Sequence, residues 1–109
     1  MWWLDIETKN SWSSTKAIND ATIQGAIDFL NKSPSGAIVG IYSTLSMWNT
    51  IAGSNFIPTQ TTTSDTPNWI PGASSASPQL TCSQTITTNG KAWLTQYVSG
   101  GLDRDYACP

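Results

Sequence analysis

The chain has 109 residues and a net charge of −2, from five basic and seven acidic side chains. This length fits one small domain, and we expect residues 1–109 to form it. The basic residues are few and scattered, and no apolar run approaches the roughly 20 residues of a membrane-spanning helix. We therefore expect neither nucleic acid nor a membrane as a partner.

The composition is typical of a secreted or cell-surface protein. Charged residues make up only 11% of the chain, whereas Ser and Thr make up about a quarter. The start of the chain lacks a basic region and a small-residue cleavage site, so no signal peptide is predicted within it. The six tryptophans suit either a core or a surface that grips sugar rings.

The two cysteines, Cys82 and Cys108, are predicted to form a disulfide. The chain has no histidine and no third cysteine, so we expect no zinc site, and no other metal or cofactor is indicated. A disulfide would close a loop of about 25 residues and contribute about 3 kcal/mol, as fits a secreted parent protein. Without histidine, Ser-His-Asp and Cys-His nucleophiles are excluded, so any catalysis depends on carboxylates, Tyr, amides or backbone groups.

The first predicted elements are a strand and a helix. Residues 2–7, WWLDIE, read as a strand buried on both faces, with alternate residues on opposite sides. A polar loop covers residues 8–15. Asn19 and Asp20 are predicted caps for a helix over residues 21–32, whose apolar residues recur every three or four positions. The segment 33–36, SPSG, is predicted to end that helix.

A second strand and helix follow. Residues 37–43 form a nearly continuous apolar run, typical of a buried parallel strand. Either Ser43 or Thr44 then caps a short helix over residues 45–53, with Gly53 as its carboxyl-terminal stop.

The remaining elements are strands separated by loops. Residues 68–72 predict a short third strand that ends at Pro71 or lies at an edge, because proline donates no ladder hydrogen bond. After a long loop, residues 92–98 form a fourth strand and residues 102–107 a short fifth one. The alternation of strands and helices predicts parallel strands joined by right-handed crossovers, and thus an α/β fold.

The first strand carries a pair of carboxylates. Asp5 and Glu7 share a face with Trp3, whereas Leu4 and Ile6 share the other. In a parallel barrel the carboxylate face looks inward, and Glu7 lies at the carboxyl end of its strand, where barrel enzymes place their chemistry. Two carboxyl groups are also what glycoside hydrolysis requires. The alternative is that Asp5 and Glu7 only brace the adjacent loop.

Other strand ends are expected to contribute to the same rim. They supply Tyr42 on the second strand, Gln96 on the fourth, and Asp103 and Asp105 on the fifth.

The order of five motifs, WLDIE, GIYST, PNWIPGA, WLTQY and GLDRDYAC, resembles the second half of glycoside hydrolase family 25 lysozymes and their secreted relatives. That resemblance implies a β/α barrel that cuts peptidoglycan, with Glu7 as proton donor and Asp5 as its partner. The sugar site would be lined by Tyr42, Trp69, Gln96 and Asp103, with Asp105 where the family often has Asn. Cys82 and Cys108 resemble a pair found in some secreted relatives.

The chain departs from that family in length, because a complete barrel has eight strands and about 200 residues or more. Only strands four to eight are represented, and the strand-one Asp of the family is absent. We therefore expect a partial, half TIM-type barrel, completed by a homodimer that hides its edges and interior. Such a fragment of a peptidoglycan-directed hydrolase would be weak or inactive by itself. The alternative is a non-catalytic half-barrel oligomer that binds cell-wall glycan or is purely structural.

Overall fold

Strands and helices follow one another in the predicted order. The computed structural model describes residues 1–32, 34 and 36–109. The elements are β1 (Trp2–Asp5), α1 (Lys16–Asn31), β2 (Val39–Tyr42), α2 (Leu45–Ile51), β3 (Thr66–Ala73), a 3₁₀ helix (Pro78–Ser83), β4 (Gly90–Ser99) and β5 (Leu102–Ala107). They form an α/β fold in which one five-stranded sheet, ordered β1-β2-β3-β4-β5, is curled into a half-barrel.

Four of the five strands are parallel, as predicted, but the last one is not. β1, β2, β3 and β4 pair in parallel, whereas β5 returns antiparallel to β4. The turn between them consists of Gly100 and Gly101, whose φ angles are +62° and +74°. Two consecutive glycines with positive φ permit a tight two-residue hairpin, so no crossover is needed. The prediction of parallel strands throughout was therefore wrong for β5.

The helix α1 begins earlier than predicted. Thr15 is its first flanking residue, and Asn19 and Asp20, predicted as caps, lie inside the helix. Their side chains serve tertiary contacts instead. The buried Asn19 amide donates to the carbonyls of Ser13 and Ile51, and Asp20 Oδ1 accepts a hydrogen bond from the Gly53 amide at 2.9 Å. The predicted stop at 33–36 includes two residues, 33 and 35, outside the described part of the chain.

The helix α2 agrees with the prediction at its start and ends two residues early. Thr44 caps it, because its hydroxyl accepts a hydrogen bond from the Met47 amide at 3.1 Å. The last helical residue is Ile51, and Ala52 is already extended.

Pro71 lies within β3, not at its end. β3 is also a central strand, so the predicted edge position was wrong for the strand as a whole. β2 pairs with β3 only as far as Trp69, so Pro71 lies beyond the end of that ladder and its missing donor leaves no gap. A register shift between Pro71 and Ala73, with Gly72 at φ +86°, absorbs the irregularity on the β4 side.

The hydrophobic core lies between the sheet and the two α-helices. Ile6 and Ile41 from the sheet region pack with Ile23 and Ile27 of α1 and with Trp48 of α2. Leu4 packs against this cluster at its margin, so the predicted division of β1 into two faces is confirmed. The predicted burial on both faces was wrong, because Trp2 and Asp5 are exposed, and the strand ends at Asp5, before the predicted end at Glu7. The opposite, inner face of the sheet carries no helix of the described residues and is open.

The predicted disulfide between Cys82 and Cys108 is present, with a Cα–Cα distance of 5.6 Å. It joins the 3₁₀ helix to the residue that follows β5, across a sequence separation of 26. A disulfide is consistent with an extracellular location. Among the described helices, none combines the length and the apolar character needed to cross a bilayer.

Candidate functional site on the inner face of the sheet

The inner face of the half-barrel holds a cavity of about 260 Å³. Its lining residues come from four neighbouring strands and are Trp3, Asp5, Tyr42, Trp69 and Gln96. Four of them were predicted as site residues, and Trp3 was predicted only to share their face. Parallel strands present their carboxyl ends at one edge of the sheet, which is why residues far apart in sequence meet here.

Three aromatic rings form the walls of the cavity. The Trp69 ring lies 5.6 Å from Trp3 and 4.9 Å from Tyr42, with interplanar angles of 65° and 70°. Such edge-to-face contacts are favourable arrangements of aromatic pairs. The Trp69 ring therefore packs against both other rings, and the walls of the cavity stabilise one another.

A glycine on β2 makes room for Trp3. A Cβ atom at Gly40 would lie 2.3 Å from the nearest Trp3 ring carbon, so the indole crosses β2 directly over a residue without a side chain. Gly40 was predicted only as part of a strand. Its signal was available, because an isolated glycine inside a strand often marks a close approach.

Two hydrogen bonds fix polar atoms around the aromatic walls. The Tyr42 hydroxyl donates to Gln96 Oε1 at 2.9 Å, and Trp69 Nε1 donates to Asp105 Oδ1 at 2.8 Å. The first bond joins β2 to β4 and the second joins β3 to β5. Together they hold four predicted site residues in fixed relative positions.

The two carboxylates of the first motif differ in their positions. Asp5 ends β1 and lines the cavity, whereas Glu7 lies just beyond the strand and does not line it. The Glu7 carboxylate pairs with Lys9, with Oε1 3.1 Å from Nζ, and 18% of the Glu7 side chain is exposed. Lys9 was not predicted as part of the site, although it continues the alternation of Asp5 and Glu7.

The charges of this cluster shift the protonation of its members. Partial removal from water raises the pKa of Asp5, and a hydrogen bond to Glu7 and the charge of Glu7 raise it further. Burial also raises the pKa of the Tyr42 hydroxyl, with added effects from the neighbouring carboxylates. The hydrogen bond and charge of Glu7 raise the pKa of Lys9. Asp5 therefore keeps its proton to higher pH than an isolated aspartate does.

The loop that follows β1 is held against the strand end. The Glu7 carbonyl accepts hydrogen bonds from Trp12 Nε1 at 2.9 Å and from the Asn10 amide at 3.0 Å. Asn10 Nδ2 donates in turn to the Asp5 carbonyl at 3.0 Å. Together with the Lys9 ion pair, these contacts show that the segment containing Asp5 and Glu7 also stabilises the loop that follows β1.

Asp103 lies near the cavity without lining it. It pairs with Val98 across the β4–β5 hairpin, and its charge contributes to the field at Tyr42. Opposite residues of an antiparallel pair share a face, so Asp103 lies on the same side as Asp105, which pairs with Gln96. The antiparallel return of β5 still brings both aspartates to the edge at which the other site residues lie.

A second cavity, of about 190 Å³, lies on the helix side and is lined by polar residues of α1 and residues 59–61. Asn31 accepts hydrogen bonds from Thr61, and Gln24 exchanges hydrogen bonds with Thr59. These contacts hold residues 59–61 against α1, so the polar residues around this cavity serve to attach the loop.

Nothing among the described residues groups three or more potential metal-binding side chains. Comparisons with protein-family models, with curated proteins and with solved structures found no match for this chain.

Proposed function

We propose that the inner face of this half-barrel is the glycan-binding face of a muramidase-like glycoside hydrolase directed at peptidoglycan. The observation that carries the proposal is the meeting of Asp5 with Trp3, Tyr42, Trp69 and Gln96 around one cavity, with Glu7 in contact with Asp5. Aromatic rings stack on sugar rings, while amide and carboxylate groups bond to hydroxyls. The order of motifs along the chain supports the same function.

In this proposal the two carboxyl groups carry the chemistry of glycosidic cleavage. One carboxylic acid donates a proton to the leaving glycosidic oxygen. Its carboxylate partner stabilises the positive charge that develops on the sugar and helps the water that forms the new bond to the anomeric carbon. The raised pKa of Asp5 holds a proton on Asp5 to higher pH, so it favours Asp5, and not Glu7, as the protonated member of the pair. The motif resemblance gives Glu7 the role of donor and Asp5 that of partner.

Turnover by the single chain is expected to be weak or absent. The cavity is open on the side away from the sheet, and no other described element covers it. Substrate held by one wall only is poorly oriented and remains in contact with water, and both conditions slow catalysis.

A second copy of the chain is proposed to cover the open face and complete the barrel. β5 is exposed along its whole length, and Val98 on the inner face is 61% exposed. Unpaired edges and exposed apolar side chains favour self-association. Light scattering tests this step directly, since a dimer has twice the mass of the 11.7 kDa chain.

The function is tested with insoluble peptidoglycan, by sedimentation for binding and by reducing-end release for cleavage. Glu7→Gln should retain binding. Its rate of cleavage should fall about 100-fold or more, the range expected for loss of an acid–base group. Asp65→Asn, an exposed carboxylate preceding β3, is the control and should change neither result. Unchanged cleavage by Glu7→Gln would contradict the hydrolase assignment.

A second candidate is a half-barrel without catalytic activity that binds glycan or is structural. The Lys9 ion pair favours it, because Glu7 is engaged by a cation and lies outside the cavity lining. Binding without any cleavage, in both the original chain and Glu7→Gln, would select this candidate. Loss of binding in every assay would leave only the structural role.

A further inference from the structure

We propose that the inner-face cavity selects a protonated amino sugar, a pyranose with a free ammonium group, over the neutral N-acetylated sugar of the same size. This inference rests on the proposed function, because it takes the inner face to be a glycan-binding surface. It goes further by stating the charge of the sugar that is preferred.

Carboxylates dominate the electrostatics of the cavity. Asp5 lines it, and Asp105 accepts the hydrogen bond from the Trp69 indole at its wall. Asp5, Glu7 and Asp103 all lie close enough to Tyr42 for their charges to act on its hydroxyl. Four acidic side chains are thus gathered around one space that can hold a ligand.

Positive side chains balance these charges only in part. Lys9 pairs with Glu7, and its charge also acts on Asp5 and Tyr42, but it offers one charge against four. Arg104 donates to the Ser99 carbonyl at 3.5 Å. Arg104 is also out of phase with Asp103 and Asp105 along β5, so it lies on the other face of the sheet. The described lining of the cavity includes no cation. A positively charged ligand is therefore favoured there by the surrounding field.

The aromatic walls favour the same kind of ligand. An ammonium group is attracted to the face of a Trp or Tyr ring, and the C–H groups of a pyranose pack on such rings. Trp3, Trp69 and Tyr42 meet at steep angles, so one ligand can contact more than one ring. An amino sugar combines the charge that the carboxylates attract with the flat apolar face that the rings accept.

The polar atoms left in the cavity fit this ligand as well. Gln96 Oε1 accepts a hydrogen bond from Tyr42. The side-chain nitrogen of Gln96 is therefore the group that can donate to a sugar hydroxyl. The Asp5 carboxylate can accept a hydrogen bond from an ammonium group, and such charge-assisted bonds are among the stronger ones.

The test is calorimetric titration of the full chain with two oligosaccharides of equal length. One consists of β-1,4-linked glucosamine and the other of its N-acetylated form. The titration is repeated from mildly acidic to neutral pH, because the amines must be protonated while Asp5, whose pKa is raised, must be ionised. We expect the glucosamine oligomer to bind about fivefold more tightly, as one partly exposed charge pair would give. Added sodium chloride should reduce this ratio, because salt screens the attraction.

Two variants locate the preference. Asp5→Asn should bring the two affinities closer together. Asp65→Asn makes the same change of charge before the amino end of β3, outside the cavity lining, and should preserve the ratio. If Asp5→Asn does not fold, the salt dependence of the original chain decides in its place.

The outcomes separate this inference from the function on which it rests. Equal affinities, or tighter binding of the N-acetylated oligomer, would overturn the amino-sugar preference and leave the glycan site intact. Failure of both oligomers to bind, together with no binding of peptidoglycan, would overturn both. A preference that survives high salt and Asp5→Asn would also count against the inference.

Discussion

The indole of Trp3 lies directly over Gly40 of the neighbouring strand, so closely that a Cβ atom there would fall 2.3 Å from the ring. Residues Trp3 and Gly40 are also direct partners in the parallel register of β1 and β2. The Trp3 ring, which forms one wall of the cavity, therefore packs directly on the backbone of Gly40. This relationship ties the geometry of the candidate site to the packing of the sheet.

Gly40→Ala is expected to lower both stability and binding. The added methyl group must displace the Trp3 ring, and overpacking of this kind typically costs about 1–3 kcal/mol in the free energy of unfolding. Glycan binding should fall as well, because Trp3 also contacts Trp69. Urea denaturation and peptidoglycan sedimentation measure the two effects.

The matched control for that variant is Gly25→Ala in the middle of α1. A Cβ atom at Gly25 meets nothing within 4 Å. Alanine is the better helix former by about 0.8–1 kcal/mol, so this variant should be more stable and bind normally. A Gly40→Ala protein as stable as the original chain would show that Trp3 is not held over β2.

Asn68→Ala is expected to be among the more damaging single changes on the helix side of the sheet. Asn68 is fully buried, and its Oδ1 accepts hydrogen bonds from the Ile86 amide at 2.8 Å and the Thr87 amide at 3.4 Å. Loss of the acceptor leaves buried donors unpaired, which costs about 1–3 kcal/mol. Chemical denaturation should show the loss, and Asn10→Ala, which removes an exposed bond, should cost less.

Asp5→Asn is expected to alter how stability depends on pH. Because the pKa of Asp5 is raised in the folded state, the folded chain binds more protons than the unfolded chain above the ordinary aspartate value of about 3.9. Stability therefore falls as pH rises through this window, and the neutral amide abolishes that part of the fall.

Denaturation midpoints of both proteins across acidic and neutral pH test this expectation. The difference in stability should move in favour of Asp5→Asn as pH rises, whatever its value at low pH. A difference that stays constant, or moves in favour of the original chain, would contradict the raised pKa.

Reduction of the disulfide is expected to destabilise the chain by about 3 kcal/mol, from the loop-closure entropy of the unfolded state. The bridge spans 26 residues and anchors the segment after β5 to the 3₁₀ helix. Denaturation with and without a reductant measures the change, with a Cys82→Ser, Cys108→Ser double variant as the control for the reductant. An unchanged midpoint would mean that the bridge constrains a segment which is already ordered without it.

Much of the fold could be predicted because local patterns and tertiary packing agree. The apolar run before Tyr42 specifies a buried strand, and β2 is buried from Val39 to Ile41. The pattern of β1 correctly predicted a strand, although not its burial, because Trp2 and Asp5 are exposed. The cap of α2 could be narrowed to Ser43 or Thr44, and the structure selects Thr44, whose side chain bonds within its own helix. The partner of the cap, Met47, lies three residues away, so a local pattern is enough to predict it.

The errors occurred where a long-range contact decides the structure. Asn19 and Asp20 look like caps, but their partners are residues of other segments, including Ile51 and Gly53. Pro71 looks like a strand end until the short length of β2 is known. The reversal of β5 depends on the conformation of the glycine pair Gly100–Gly101, which parallel alternation does not predict.

Four of the seven predicted site residues line the cavity, whereas Glu7, Asp103 and Asp105 do not. Periodicity placed Asp5 and Trp3 on one face, and the cavity includes both. The ion pair between Glu7 and Lys9 could not be derived from strand periodicity, because the strand ends at Asp5 and the loop conformation takes over. Sequence spacing therefore gave the members of the site more reliably than their contacts.

The reversed last strand has a geometric consequence for any closed assembly of this chain. In a ring of two copies, each β5 would meet the β1 of its partner running in the opposite direction, which gives two antiparallel seams and ten strands in total. Barrel diameter grows roughly in proportion to strand number, so such a ring would be about a quarter wider than an eight-stranded one. Side chains fill the interior at eight strands; at ten, the rings of Trp3 and Trp69 would border a hollow lumen with room for solvent or a guest molecule.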